Sequence, residues 1–163
     1  MSGAKASRRS VLLAIAAASL TACTNGPAST PAQTVSPSPE PDALLRGEVA
    51  AAERNLLASY DATMARHPAL AAQLAPFRAR HRRHLNAVEA SGVVATRQPS
   101  ATQTPPVPDD PGEALTVLRT AERNAAGARL AQCLRSEDAA VAELLAAAAA
   151  CEAAHDTLLG AVT

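Results

Sequence analysis

The chain has 163 residues, with no Trp, one Phe (Phe77), one Tyr (Tyr60) and seven Gly, while Ala alone contributes 42. So few aromatic residues exclude an all-β fold, and the shortage of Gly and of Val/Ile runs argues against a doubly wound α/β fold; Ala, Leu, Arg and Glu favour an all-α class. The formal charge is zero, but from residue 23 onward 12 Arg and no Lys face 15 acids, giving 12 − 15 = −3, which leaves no basic field for a nucleic-acid partner.

Lys5, Arg8 and Arg9 precede a ten-residue apolar run at 11–20. It is too short to span a bilayer and has the flanks of a cleaved export signal. The run ends in Leu20-Thr21-Ala22-Cys23, which resembles the lipobox of bacterial lipoproteins. That resemblance implies a signal peptide over 1–22, lipidation of Cys23, and a mature protein held on the extracytoplasmic face of the cell membrane. Several acyl chains anchor firmly, because each buried CH₂ is worth roughly 0.8 kcal/mol. Ser7-Arg8-Arg9-Ser10-Val11-Leu12 also resembles a twin-arginine export signal, so both export routes stay open.

Residues 24–41 contain five Pro, three Ser and three Thr. Together with Cys23 they read as an extended tether, 23–41, below a domain at 42–160. A first helix is expected over 43–66 with Asp42 as N-cap, ended by His67-Pro68. His67 reads as a surface loop residue. A second helix covers 69–90, kinked or restarted at Pro76. Segment 91–111 again holds five Pro and reads as a long connection. A third helix starts at Asp110-Pro111-Gly112-Glu113, an N-cap, a Pro at the first helical position and an acid at the capping-box position, and ends near 134. A fourth runs from Ser136-Glu137-Asp138 to about 160, with its acids in the first turn. Tight joints make helices 1/2 and 3/4 antiparallel hairpins. A helix of about 22 residues is roughly 33 Å long, whereas 21 extended residues reach roughly 60 Å. The long connection can therefore travel the length of a bundle.

Each helix carries ionisable residues on its apolar stripe. Helix 1 reads Leu45, Val49, Glu53, Leu56 or Leu57, Tyr60, Met64; helix 2 reads Leu74, Phe77, His81, His84, Val88. Helix 3 reads Leu115, Leu118, Glu122, Ala126, Leu130; helix 4 reads Val141, Leu145, Ala148, Glu152, His155, Leu159. A buried charge without a partner costs several kcal/mol, so these six acids and imidazoles must meet one another, bind a cation or face water. Their heights agree. Folding each hairpin about its turn sets Glu122 opposite roughly residue 149 and Glu53 opposite roughly residue 82. The halves also repeat: Ala52-Glu53-Arg54-Asn55 recurs as Ala121-Glu122-Arg123-Asn124 at an offset of 69, and His84 and His155 lie 71 apart.

On these positions the chain resembles the ferritin-like carboxylate-metal superfamily and small actinobacterial-type lipoproteins similar to it. The resemblance implies a four-helix bundle of two antiparallel hairpins joined by one long crossover, with a Glu from each of two helices and Glu-x-x-His from each of the others. Glu53 and Glu122 match the lone Glu positions and Glu152-Ala153-Ala154-His155 matches Glu-x-x-His. His81-Arg82-Arg83-His84 departs from the pattern by placing His where Glu is expected. The implied metal ligands are Glu53, His81, His84, Glu122, Glu152 and His155, and this nitrogen-rich set suits Fe, Zn or Cu over Mg or Ca. The competing readings are a metal-free hydrogen-bonded network and a non-catalytic envelope bundle whose polar cluster only fixes helix register. Arg78, Arg80, Arg82 and Arg83 read as a solvated face. Cys133 and Cys151 sit roughly 20 Å apart in the hairpin register, too far for a disulfide, and read as small buried hydrophobes, with Cys151, adjacent to Glu152, a weaker ligand candidate. No nucleophile, P-loop or dinucleotide motif is present.

Overall fold

A computed structural model describes residues 40, 42–96 and 106–162. The expected signal peptide, the lipidated Cys23, most of the tether and the middle of the long connection lie outside these residues. Four helices make up the described chain: α1 (Ala43–Arg66), α2 (Ala71–Ala90), α3 (Pro111–Cys133) and α4 (Ala139–Leu159). There is no strand among the described residues, and no helix there is long and apolar enough to cross a membrane. Helix α1 packs against α2 and α3, and α4 packs against α3 and α2.

Local chemistry sets the helix ends, in two cases differently from expectation. Asp42 does not cap α1 through its side chain. It sits in the left-handed region at φ 65°, a conformation that Asp tolerates better than most residues. Its carboxylate instead accepts hydrogen bonds from the Ser136 hydroxyl and from the backbone N–H groups of Glu137 and Asp138. This pins the α3–α4 turn to the start of α1. As a result α4 begins at Ala139, with Asp138 as its N-cap accepting from the Ala140 N–H at 2.8 Å; the acids precede the first turn rather than occupying it. The α3 start is as expected: Asp110 accepts from the Glu113 N–H at 2.8 Å and Pro111 occupies the first helical position.

His67 ends α1 by leaving the helical region, at φ −124° and ψ 76°, as the disfavouring of helical backbone before Pro68 requires. It is half-buried rather than a free surface residue, and its Nε2 lies 2.9 Å from the Pro108 carbonyl oxygen. A 3₁₀ turn, Pro68–Leu70, leads into α2, which runs through Pro76 without restarting there. Arg66 pairs with Asp109 at the same end. At the opposite end the buried Arg46 pairs with Glu40 and Asp138 and donates to the Ser91 hydroxyl. There the Ala95 N–H donates to the Ala43 carbonyl, and the chain passes so close that a Cβ on Gly47 would lie 1.8 Å from the Ala95 oxygen.

The apolar core is divided. One cluster joins Leu45, Val49, Leu57, Leu85, Val88, Val141 and Leu145, with Ala50. The other joins Tyr60, Leu70, Leu74, Leu115, Leu118 and Leu159. On α2, His81 lies between Leu74 and Leu85; on α4, Glu152 and His155 lie between Leu145 and Leu159. The stripes of α1, α2 and α4 match the expected ones closely. On α3 the stripe differs: Leu130 is 56% exposed, and the neighbouring Arg129 is fully buried in its place. Arg80, Arg82 and Arg83 are exposed and the half-buried Arg78 pairs with Asp61, so this is the expected solvated face. Cys133 and Cys151 are free thiols, half-buried rather than fully so.

Candidate metal centre

All six expected residues converge. Glu53, His81, Glu122 and Glu152 have no exposed surface, His155 retains 2%, and only the His84 side chain, at 16%, keeps an edge toward solvent. The solvent-facing reading of these groups is thereby corrected. Spacings of three and four along each helix stack the polar residues over the apolar ones, so the packing that buries the leucines also buries the acids.

His81 is the hub. Its Nδ1 lies 2.9 Å from Glu53 Oε2 and its Nε2 lies 2.8 Å from Glu122 Oε1. Only an imidazolium donates to two carboxylates at once. Burial pushes the His81 pKa down, but hydrogen bonds and charge from Glu122 and Glu53 outweigh it and raise the pKa to about 9. Burial likewise works against ionisation of Glu53, yet the hydrogen bond from His81, the neighbouring His84 and the Arg129 charge hold it well below the usual carboxylate range. Glu122 is held down at about 2 against burial by hydrogen bonds from His155, His81 and Tyr60 and by the His81 charge. Glu152 goes the other way. Burial and the Glu53 charge raise it to about 8 even though Arg129 opposes them.

Two participants were not expected. The Tyr60 hydroxyl donates to Glu122 Oε1, and burial followed by the Glu122 charge keeps this phenol un-ionised far above its normal range. Arg129 has no exposed surface; its Nη2 lies 3.3 Å from Glu53 Oε1, its Nε 3.5 Å from Glu152 Oε1, and its Nη1 donates to Gln132 Oε1 at 2.9 Å. Arg129 lies two helical turns beyond Glu122, on the same stripe, which is the signal that locates it. The offset of the internal repeat gives a second one. Tyr60 and Arg129 are 129 − 60 = 69 residues apart, as are Glu53 and Glu122. Each of the two therefore contacts the lone glutamate of the opposite half.

Two overlapping groups of donor atoms could hold a metal ion, with all atoms of each group within 4.8 Å of one another: Glu53, His81, His84 and Glu152, and His81, Glu122 and His155. Several polar atoms there lack a hydrogen-bond partner although buried: Glu122 Oε2, both Glu152 carboxylate oxygens, His84 Nδ1 and Arg129 Nε. Buried polar groups are nearly always satisfied, so Glu122 Oε2 and Glu152 Oε2, which have neither a hydrogen bond nor the ion pair that Arg129 gives Glu152 Oε1, fit a bound cation. The mixed nitrogen and oxygen donor set fits a transition metal. His155 Nδ1 lies 3.2 Å from Glu122 Oε1, and its Nε2 lies 3.4 Å from Cys151 Sγ. Burial raises the Cys151 thiol, which suits a neutral S–H rather than a thiolate ligand. Comparison with family models, curated proteins and solved structures finds no match to this chain, so the geometry of the cluster alone carries the functional argument.

Proposed function

We propose that the chain is a lipid-anchored, extracytoplasmic four-helix bundle of ferritin-like arrangement that binds a transition-metal ion in its central Glu/His cluster. The observation that carries the metal reading is the convergence of three carboxylates and three imidazoles, from all four helices, into donor groups within 4.8 Å, with carboxylate oxygens left unpartnered in a buried place. The crossover is supported by which ends meet. Ser91, just past α2, lies beside Arg46 near the start of α1, whereas Pro108 and Asp109, just before α3, lie beside His67 and Arg66 at its finish. The anchor rests on the lipobox-like Cys23 and its basic, apolar leader. A bound Zn ion supplies Lewis acidity, and Fe or Cu adds one-electron chemistry.

One observation favours a second reading, a structural network without metal. Arg129 and a protonated His81 supply two positive charges against ionised Glu53 and Glu122, and a protonated Glu152 adds none, so the cluster is also neutral with no ion bound. Elemental analysis separates the two. The protein is produced with added Fe, Zn or Cu, dialysed, and analysed before and after chelation. Near-stoichiometric retention of one of these metals, lost on chelation together with several degrees of melting temperature, is the expected result. Retention below a tenth of an equivalent under all three conditions refutes the metal reading in favour of the structural network.

A further inference from the structure

Resting on that metal-binding reading, we propose that the cluster takes one divalent ion and not two, seated on His81, Glu122 and His155, while Arg129 fills the place of a second cation among Glu53, His84 and Glu152. Three observations converge on this. The first is the His81 ring, which belongs to both donor groups but faces Glu53 with Nδ1 and Glu122 with Nε2. A neutral imidazole has a single lone pair for a metal, so it serves one group at a time. When Nε2 takes the ion, Nδ1–H still donates to Glu53, and that carboxylate is held in turn by Arg129. A metal-bound His oriented through its other nitrogen by a carboxylate is the usual supporting arrangement.

The second observation is the guanidinium itself. It lies 3.3 Å from Glu53 and 3.5 Å from Glu152, two of the four donors of the first group, so an ion there meets a fixed positive charge at close range. Among the described residues no Arg hydrogen-bonds or ion-pairs with the second group, where the Tyr60 hydroxyl and the imidazoles gather on Glu122 Oε1 and leave Oε2 without a hydrogen bond. His155 is poised similarly: Nε2 faces Cys151 Sγ, while Nδ1 meets Glu122 Oε1 at 3.2 Å and so already faces the carboxylate that would share the ion. The third is charge. Even with Glu152 deprotonated on metal binding, the three carboxylates only balance the Arg129 guanidinium and one divalent ion, so a second ion would bury +2 without a counter-charge.

Titration of the full chain with Zn²⁺, followed by calorimetry and elemental analysis, reads the stoichiometry. X-ray absorption on the loaded wild type reads the donors without any substitution. The expected outcome is one Zn per chain, two imidazoles and oxygen donors, and no metal–metal distance. His155→Ala then weakens binding at least about 100-fold, beyond the 10–100-fold typical of merely supporting residues, and His84→Ala changes it less than about threefold. Two Zn per chain, a metal–metal distance, three imidazoles, or a His84→Ala loss equal to that of His155→Ala overturns the assignment while leaving metal binding intact. If His155→Ala does not fold, the wild-type donor count decides alone. Absence of Zn binding also overturns the assignment; whether the metal reading falls with it is told by uptake of iron or copper.

Discussion

Replacing Arg129 by Met keeps most of the side-chain volume and removes only the guanidinium. In the folded protein that group has no exposed surface and faces Glu53 at 3.3 Å and Glu152 at 3.5 Å. At an effective dielectric of 20, each unit pair at such distances attracts by about 5 kcal/mol. Desolvation of the guanidinium offsets much of this attraction, but its loss leaves Glu53 ionised and buried, so the net cost is that of breaking a buried pair, about 3–5 kcal/mol. Glu152 is spared part of the penalty because it carries a proton up to about pH 8. For a bundle of this size each kcal/mol is worth roughly 4 °C in Tm, so metal-free R129M should melt about 10–20 °C below the wild type. Glu53→Gln in the R129M background should recover part of the loss, giving a double-mutant coupling above about 1 kcal/mol. Urea denaturation of the four proteins in chelator supplies these numbers. A loss below 1 kcal/mol, or no coupling with Glu53, would refute the role of Arg129 as the cluster's fixed cation.

In chelator, stability should depend on pH in a manner set by the cluster. His81 is raised from 6.5 to about 9 and Glu152 from 4.5 to about 8. Both favour the folded state at low pH, and their contributions fade as pH rises from 4.5 through 9. Glu53 and Glu122 are lowered, so theirs fade as pH falls from 4.5 toward 2. Denaturation free energies should therefore peak near pH 5, and a steady rise from pH 5 to 9 would contradict the assignments. Tyr60→Phe removes one donor to an ionised, buried carboxylate and should cost about 1.5–3 kcal/mol by the same denaturation assay; a cost under 0.5 kcal/mol would mean the phenol is dispensable. Asp42→Ala removes the acceptor that pins the α3–α4 turn and places Ala at φ 65°. It should cost about 2–3 kcal/mol, with faster amide exchange at Glu137 and Asp138 as the local signature; unchanged exchange there would refute the pinning role.

Much of the site was legible because helical periodicity and hairpin arithmetic are rigid constraints. Once two helices meet at a short turn, residues at matching distances from it must lie side by side, which brings Glu53 to His81 and Glu122 to His155. Arg129 escaped notice for a chemical reason. An Arg beside a Leu on a helix reads as solvent-facing, and the aliphatic residue attracts the stripe to itself. In the folded chain the acids of α1 and α4 outbid apolar contact at that position, and Leu130 is turned outward. The start of α4 was misplaced by a similar blindness, since Asp42 acts on a turn more than ninety residues away and no local rule sees it. The role of Tyr60 follows from the internal repeat only when its offset is carried beyond the matching tetrapeptide.

The two hairpins are unequal contributors. The first brings one acid, two imidazoles and a phenol, Glu53, His81, His84 and Tyr60; the second brings two acids, one imidazole and a guanidinium, Glu122, Glu152, His155 and Arg129. Like paired with like would set four imidazoles together without a permanent cation, or crowd four acids with two guanidiniums. Complementarity of this kind makes mutual recognition selective, so two copies that exchanged hairpins would still rebuild two complete centres, whereas isolated halves could not.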